Sequence, residues 1–94
     1  MPVFTMTVLA ERAESVTLGV RGNVCRESLA PLQRFIASAQ RQKRVVLDLS
    51  EVTLLDHAAA SFFSERLERG VDLINCPPYL RHWIFQEISH APER

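Results

Sequence analysis

The segment Arg44-Val45-Val46-Leu47-Asp48-Leu49 constrains this chain more than any other. Its apolar residues run on with almost no alternation, which is the pattern of a strand covered on both faces. Such a strand belongs inside a parallel or mixed sheet, and a parallel neighbour needs a crossover, usually a helix. The flanking segments meet that demand. Before it, Leu29, Leu32, Phe35, Ile36 and Ala39 recur at helical spacing, with Gln33, Arg34, Gln40 and Arg41 facing out. After it, Ala59, Ala60, Phe62, Phe63 and Leu67 form a second apolar stripe, with Ser61, Ser64, Glu65, Glu68 and Arg69 opposite.

Local signals place the boundaries. Ser28 and Asp56 are N-cap residues by type, and Pro31 is tolerated in a first helical turn. Gly70 suits a helix stop. At the start, the β-branched and aromatic run 3–9 predicts a strand, and the alternation of Val16, Leu18 and Val20 against Thr17, Gly19 and Arg21 predicts another. The short polar link 10–14 makes these two an antiparallel hairpin, with Gly22-Asn23 ending the second strand. A short strand over 71–75 and a last helix over 79–88 complete the chain, broken by Pro77-Pro78. Leu80, Trp83, Ile84 and Ile88 are that helix's expected buried face, and 89–94 a frayed tail. The expected order is β-β-α-β-α-β-α: an α/β fold with a mixed four-stranded sheet and three helices, one domain over 1–94.

Composition narrows the function classes. With 11 basic and 11 acidic residues, no global charge steers the chain to nucleic acid or an anionic membrane. The densest cationic stretch, Arg34, Arg41, Lys43 and Arg44, surrounds the end of the first helix, where it complements the helix dipole. No apolar run reaches the ~18–20 residues that span a bilayer, and residues 1–10 lack a signal-peptide pattern. A cytoplasmic location is expected, with Cys25 and Cys76 free and half-buried. Cys25, His57, Cys76, His82 and His90 match no metal-ligand spacing, and no cofactor is expected.

Val45-Val46-Leu47-Asp48-Leu49-Ser50, followed by Val52-Thr53-Leu54-Leu55-Asp56, resembles the signature of STAS domains, the fold of anti-sigma-factor antagonists. In that pattern a central strand ends in Asp-Leu-Ser, and an apolar linker leads to an aspartate that opens a helix. Leu18-Gly19-Val20-Arg21-Gly22-Asn23-Val24 resembles the family's second strand and its exit, and the stretch 70–84 its fourth strand and following helix. The resemblance spans roughly residues 5–85. It implies a module that binds and releases another protein, such as an anti-sigma factor that is also a switch kinase. In the family, that kinase phosphorylates a Ser or Thr just after the aspartate, and the added charge of about −1.5 to −2 ends binding.

This chain departs from the pattern at that place. His57, Ala58, Ala59 and Ala60 follow the aspartate, and the first hydroxyl is Ser61, beyond the first turn. No phosphorylation is expected at the usual position, the second helix is shorter than is common, and no fifth strand is expected. The expected working surface is Asp56, His57 and Ala58, with Asn23 and Val24 in the loop beside them and Asp48 beneath.

Other readings of the same residues remain open. His57 reads either as an acid–base or phospho-accepting group or as a contact residue; a helix N-terminus disfavours imidazolium, and no relay partner is placed by spacing. Asp48 and Asp56 read as a carboxylate pair or, more simply, as a loop ligand and a helix cap. Tyr79, Trp83 and Phe85 make either core or an aromatic recognition surface, the latter suiting a homodimer or a partner groove. The rival functions are an antagonist locked on by loss of the phosphosite, a STAS-type subunit of a larger assembly such as a lipid-transport ATPase, and a small-ligand binder using His57 with Asp48.

Overall fold

The computed structural model describes residues 4–89. The elements are β1 (Phe4–Glu11), β2 (Ser15–Val24), a 3-10 turn (Arg26–Ser28), α1 (Leu29–Gln40), β3 (Arg44–Leu55), α2 (His57–Glu68), β4 (Asp72–Ile74) and α3 (Pro78–Ser89). The four strands form one sheet in the order β1-β2-β3-β4. β1 is antiparallel to β2, and β3 runs parallel to both β2 and β4. The α/β class, the mixed four-stranded sheet and the three helices expected from the sequence are all present.

The strand order advances in one direction, so two right-handed crossovers put α1 and α2 on the same face of the sheet. Burial agrees. Val16, Leu18 and Val20 of β2 and Val45, Leu47 and Leu49 of β3 form one cluster with Leu32 and Ile36 of α1 and Ala59, Ala60 and Phe63 of α2. Leu80 and Ile84 of α3 join that cluster, and α3 packs chiefly against α2. Leu29, Phe35 and Ala39 border it, as the helical spacing predicts. Trp83 and Ile88, expected on the inner side of α3, have side chains outside the described set, as do Phe85 and the tail 90–94.

Two-sided burial of β3 is not what the fold does. Val46 and Asp48 are only half-buried, and among the described residues no element covers that side of the sheet. Val46 is screened sideways instead, paired with Thr17 of β2 and Asp72 of β4. β3 is also longer than expected: it absorbs the apolar passage 52–55 and changes phase at the exposed Ser50-Glu51, so Val52 and Leu55 still point inward. β2 likewise runs past Gly22-Asn23, where Gly22 takes a positive φ of 92° beside a shift in register.

The open face carries a local adjustment in the hairpin. β1 bulges between Val8 and Ala10, and the extra residue, Leu9, lies over Gly19. A Cβ at position 19 would come within 2.9 Å of Leu9 Cδ1, so glycine makes room for that cover. Two of the four cations around the end of α1 are paired. Lys43 pairs with Glu11 at 2.8 Å and Arg44 with Asp72 at 2.6 Å.

Gly70 stops α2 as expected. The amide of Gly70 bonds to the Leu67 carbonyl at 3.2 Å and that of Val71 to Arg66 at 3.0 Å, the Schellman arrangement, with Gly70 at φ +95°. Nothing lies within 4 Å of a Cβ built there, so Gly70→Ala meets no steric obstacle and its cost is conformational alone. The expected loss is about 1 kcal/mol, read as a lower urea midpoint with an unchanged slope. A neutral or stabilising substitution would show that the cap relaxes to another conformation.

Candidate functional site at the start of α2

Asp56 organises this end of the molecule. Its backbone is extended, at φ −90° and ψ 177°, as an N-cap requires, and Oδ1 accepts a hydrogen bond from the Ala59 amide at 2.8 Å. Oδ2 accepts from the Arg26 amide at 3.0 Å, and the amide of Asp56 itself donates to the Val24 carbonyl at 3.2 Å. One aspartate therefore ties the end of β3, the first turn of α2 and the exit of β2 into a single platform. Both loops lie at the carboxyl ends of the parallel strands, where α/β folds commonly carry their sites.

The turn that presents Arg26 is held from within. The Ser28 amide donates to the Cys25 carbonyl at 2.8 Å, and the Cys25 amide donates to Ser28 Oγ at 3.2 Å. Ser28 therefore does not cap α1: it is already helical, at φ −81° and ψ −13°, and its hydroxyl turns back to Cys25. The Cys25 thiol donates to Glu27 Oε1 at 3.1 Å, and that bond holds the Glu27 carboxyl below its ordinary pKa. Both cysteines are free and half-buried. Burial raises the pKa of the Cys76 thiol, against a weaker opposing pull from Arg81, so it stays protonated at neutral pH.

The residues singled out from the sequence do not all gather here. Asp56, His57 and Ala58 share the opening turn, with His57 exposed and Ala58 half-buried, and Asn23 lies next to it, paired with Leu54. Val24 does not face outward. Its side chain is wholly buried, so it can support a partner surface but not touch a partner. Extending the alternation of Val16, Leu18 and Val20 would have shown this, since position 24 keeps the same phase.

Asp48 does not lie beneath the platform either. It sits mid-strand in β3 on the open face of the sheet, where it accepts from the Ser50 amide at 2.9 Å and from Asn75 Nδ2 at 3.1 Å. Burial pushes its carboxyl up, but these bonds outweigh it and hold the pKa below the ordinary value, so Asp48 is ionised at neutral pH. It lines a shallow depression of about 310 Å3 with Thr7, Leu9, Gly19, Arg21 and Ser50. The fold therefore forms no Asp48–Asp56 carboxylate pair and no Asp48–His57 dyad.

Two contributors carry no sequence signal of their own. Arg26 enters through its backbone amide, which no residue pattern announces. Leu54, between the buried Val52 and Leu55, is 60% exposed next to the platform, where Tyr79, 59% exposed, donates its hydroxyl to the Thr53 carbonyl at 3.2 Å. The rest of the α2 face turns inward further than its sequence suggests. Ser64 is buried and donates to the Ser61 carbonyl at 3.2 Å, and Ser61 is half-buried. Among the described residues no group of three or more His, Cys, Asp or Glu side chains is placed to hold a metal ion, and no helix is long and apolar enough to cross a membrane. No protein-family model matches the chain, and comparison with curated proteins likewise finds none that matches it.

Proposed function

We propose that this chain is a non-enzymatic, STAS-type protein-interaction module of the cytoplasm, related to anti-sigma-factor antagonists, that engages its partner through the opening turn of α2. The observation that carries the reading is the Asp56 tie. Its carboxylate bonds to both Ala59 and Arg26, which gives the exposed turn a firm base built from two loops. A preorganised surface loses little ordering entropy on association. The element order and the parallel β2-β3-β4 arrangement are compatible with the family suggested by the sequence. The run His57-Ala58-Ala59-Ala60 leaves the first turn without a hydroxyl, so binding here is not switched by phosphorylation at that place. An anti-sigma factor of the switch-kinase class is the partner this reading names.

His57→Glu tests the surface with little risk to the fold. A carboxylate in the first turn of a helix complements its dipole, so stability should stay level or rise by a few tenths of a kcal/mol. Partner capture should fall at least tenfold, a loss of about 1.4 kcal/mol, while Thr7→Glu on the open sheet face leaves it unchanged. Equal capture by wild type and His57→Glu would move the working surface elsewhere. Incubation with a switch kinase and ATP should leave the opening turn of α2 unlabelled.

A further inference from the structure

We propose that β4 and α3 form a strap that opens as a unit while the remainder of the sheet stays closed, and that a side-chain latch on β3 sets how readily it does so. The strap's own strand is minimal. β4 pairs with β3 at only Val46–Asp72, Leu47–Leu73 and Asp48–Ile74, whereas β2 pairs with β3 along nearly its whole length. Among the described residues, three side-chain ties to β3 supplement that short ladder.

At one end Arg44 Nε donates to Asp72 Oδ2 at 2.6 Å. At the other, Asn75 Nδ2 donates to Asp48 Oδ2 at 3.1 Å. A third tie, from the Tyr79 hydroxyl to the Thr53 carbonyl, attaches the start of α3 beside the platform. Asn75 has a φ of 54°, the left-handed region that costs a non-glycine residue, so the Asp48 bond also holds a conformation the chain would otherwise leave. These ties are largely exposed, and exposed ties are individually weak. The apolar anchors Leu80 and Ile84 pack into the core chiefly through α2, not through α1. Few ladder bonds, solvent-facing ties and one-sided packing are the marks of a unit that opens below the global unfolding free energy. Opening bares the β3 edge at 46–48 and takes Tyr79 away from Thr53, so the strap's state reaches the end of β3 that leads into Asp56.

Amide exchange of the isolated full chain, read by NMR or by mass spectrometry with short peptides, tests this without any partner, so its outcome is separate from that of the proposed binding surface. In the wild type, amides of Leu73, Arg81 and Ile84 should exchange about tenfold or more faster than those of Val16 and Leu18, which pair with strands on both sides. The double variant Asp72→Ala/Asn75→Gly removes both latch bonds, spares the apolar anchors and relieves the left-handed residue. It should speed strap exchange by about tenfold and leave Val16 and Leu18 unchanged. Equal protection of strap and β2 amides in the wild type overturns the proposal, as does a variant that accelerates both sets alike.

Discussion

Phe63→Ala is expected to remove about 3–5 kcal/mol of stability, the usual cost of deleting a buried aromatic ring and leaving a cavity. Phe63 has no exposed surface and is the largest fully buried side chain among the described residues. It sits in the single core cluster that α2 shares with the inner residues of β2 and β3, and it contacts Phe62 edge-to-face, with ring centroids 5.7 Å apart and planes at 67°. Small domains have about 5–15 kcal/mol in total, and a short chain lies toward the lower end. The urea midpoint should therefore fall by a third or more at constant slope, or the variant should fail to fold at all. Phe63→Leu keeps most of the apolar volume and separates the two outcomes, with an expected loss of about 1–2 kcal/mol. Phe62 is a useful contrast, because its ring lies nearer the surface with the Arg66 guanidinium 5.4 Å from its centroid, and truncation there should cost less. A loss below about 1 kcal/mol at Phe63 would mean that α2 is not seated on the sheet through this residue.

The features legible in the sequence were those set by local chemistry. Asp56 and Gly70 mark the ends of α2 because a short acceptor side chain and a missing Cβ are needed at those backbone positions whatever lies around them. The inner face of α1 was readable for a similar reason, since Leu32 and Ile36 lie one turn apart and face the same core. What depended on neighbours was not readable. An apolar run such as Val45-Val46-Leu47 looks the same whether a second layer covers it or adjacent strands merely screen Val46, and here the latter holds. Ser28 satisfies every type rule for a cap, yet the preceding 3-10 turn has already turned the chain, so its hydroxyl bonds Cys25 instead. Asp48 was singled out as the aspartate of the Asp-Leu-Ser pattern, and its partner Asn75 lies just past β4, which only the folded sheet brings beside it. The same holds for the candidate site. The aspartate, the histidine and the alanines could be picked out along the chain, but the contribution of Arg26 lies in a backbone amide.

The Arg26 amide allows the platform to be tested bond by bond. Asp56→Ala removes the helix cap and the bridge together, and the expected cost is roughly 2–3 kcal/mol, the sum of a lost N-cap and a lost charge-assisted hydrogen bond partly replaced by water. Arg26→Pro deletes the donor and spares the cap. The backbone accommodates proline, because position 26 opens a helical turn and Cys25 before it is extended, at φ −128° and ψ −179°, but the ring takes the place of the amide hydrogen and Asp56 Oδ2 must move away. In the wild-type background Arg26→Pro should cost about 1 kcal/mol or more, since Asp56 Oδ2 loses its partner and is displaced by the ring. In the Asp56→Ala background it should cost almost nothing, because the acceptor is already gone. The interaction energy from this cycle, read from urea unfolding, should come to about 1 kcal/mol or more. Asp56→Ala loses the helix cap equally with and without Arg26→Pro, so that loss cancels and the cycle reads the contact between the β2 exit and the α2 start. Arg26→Pro should also weaken partner binding while leaving α2 intact, since it loosens the base of the surface without altering His57. Strictly additive costs would mean that the two loops stand side by side without being joined, and the exposed turn would then lack the rigidity on which the proposed recognition depends.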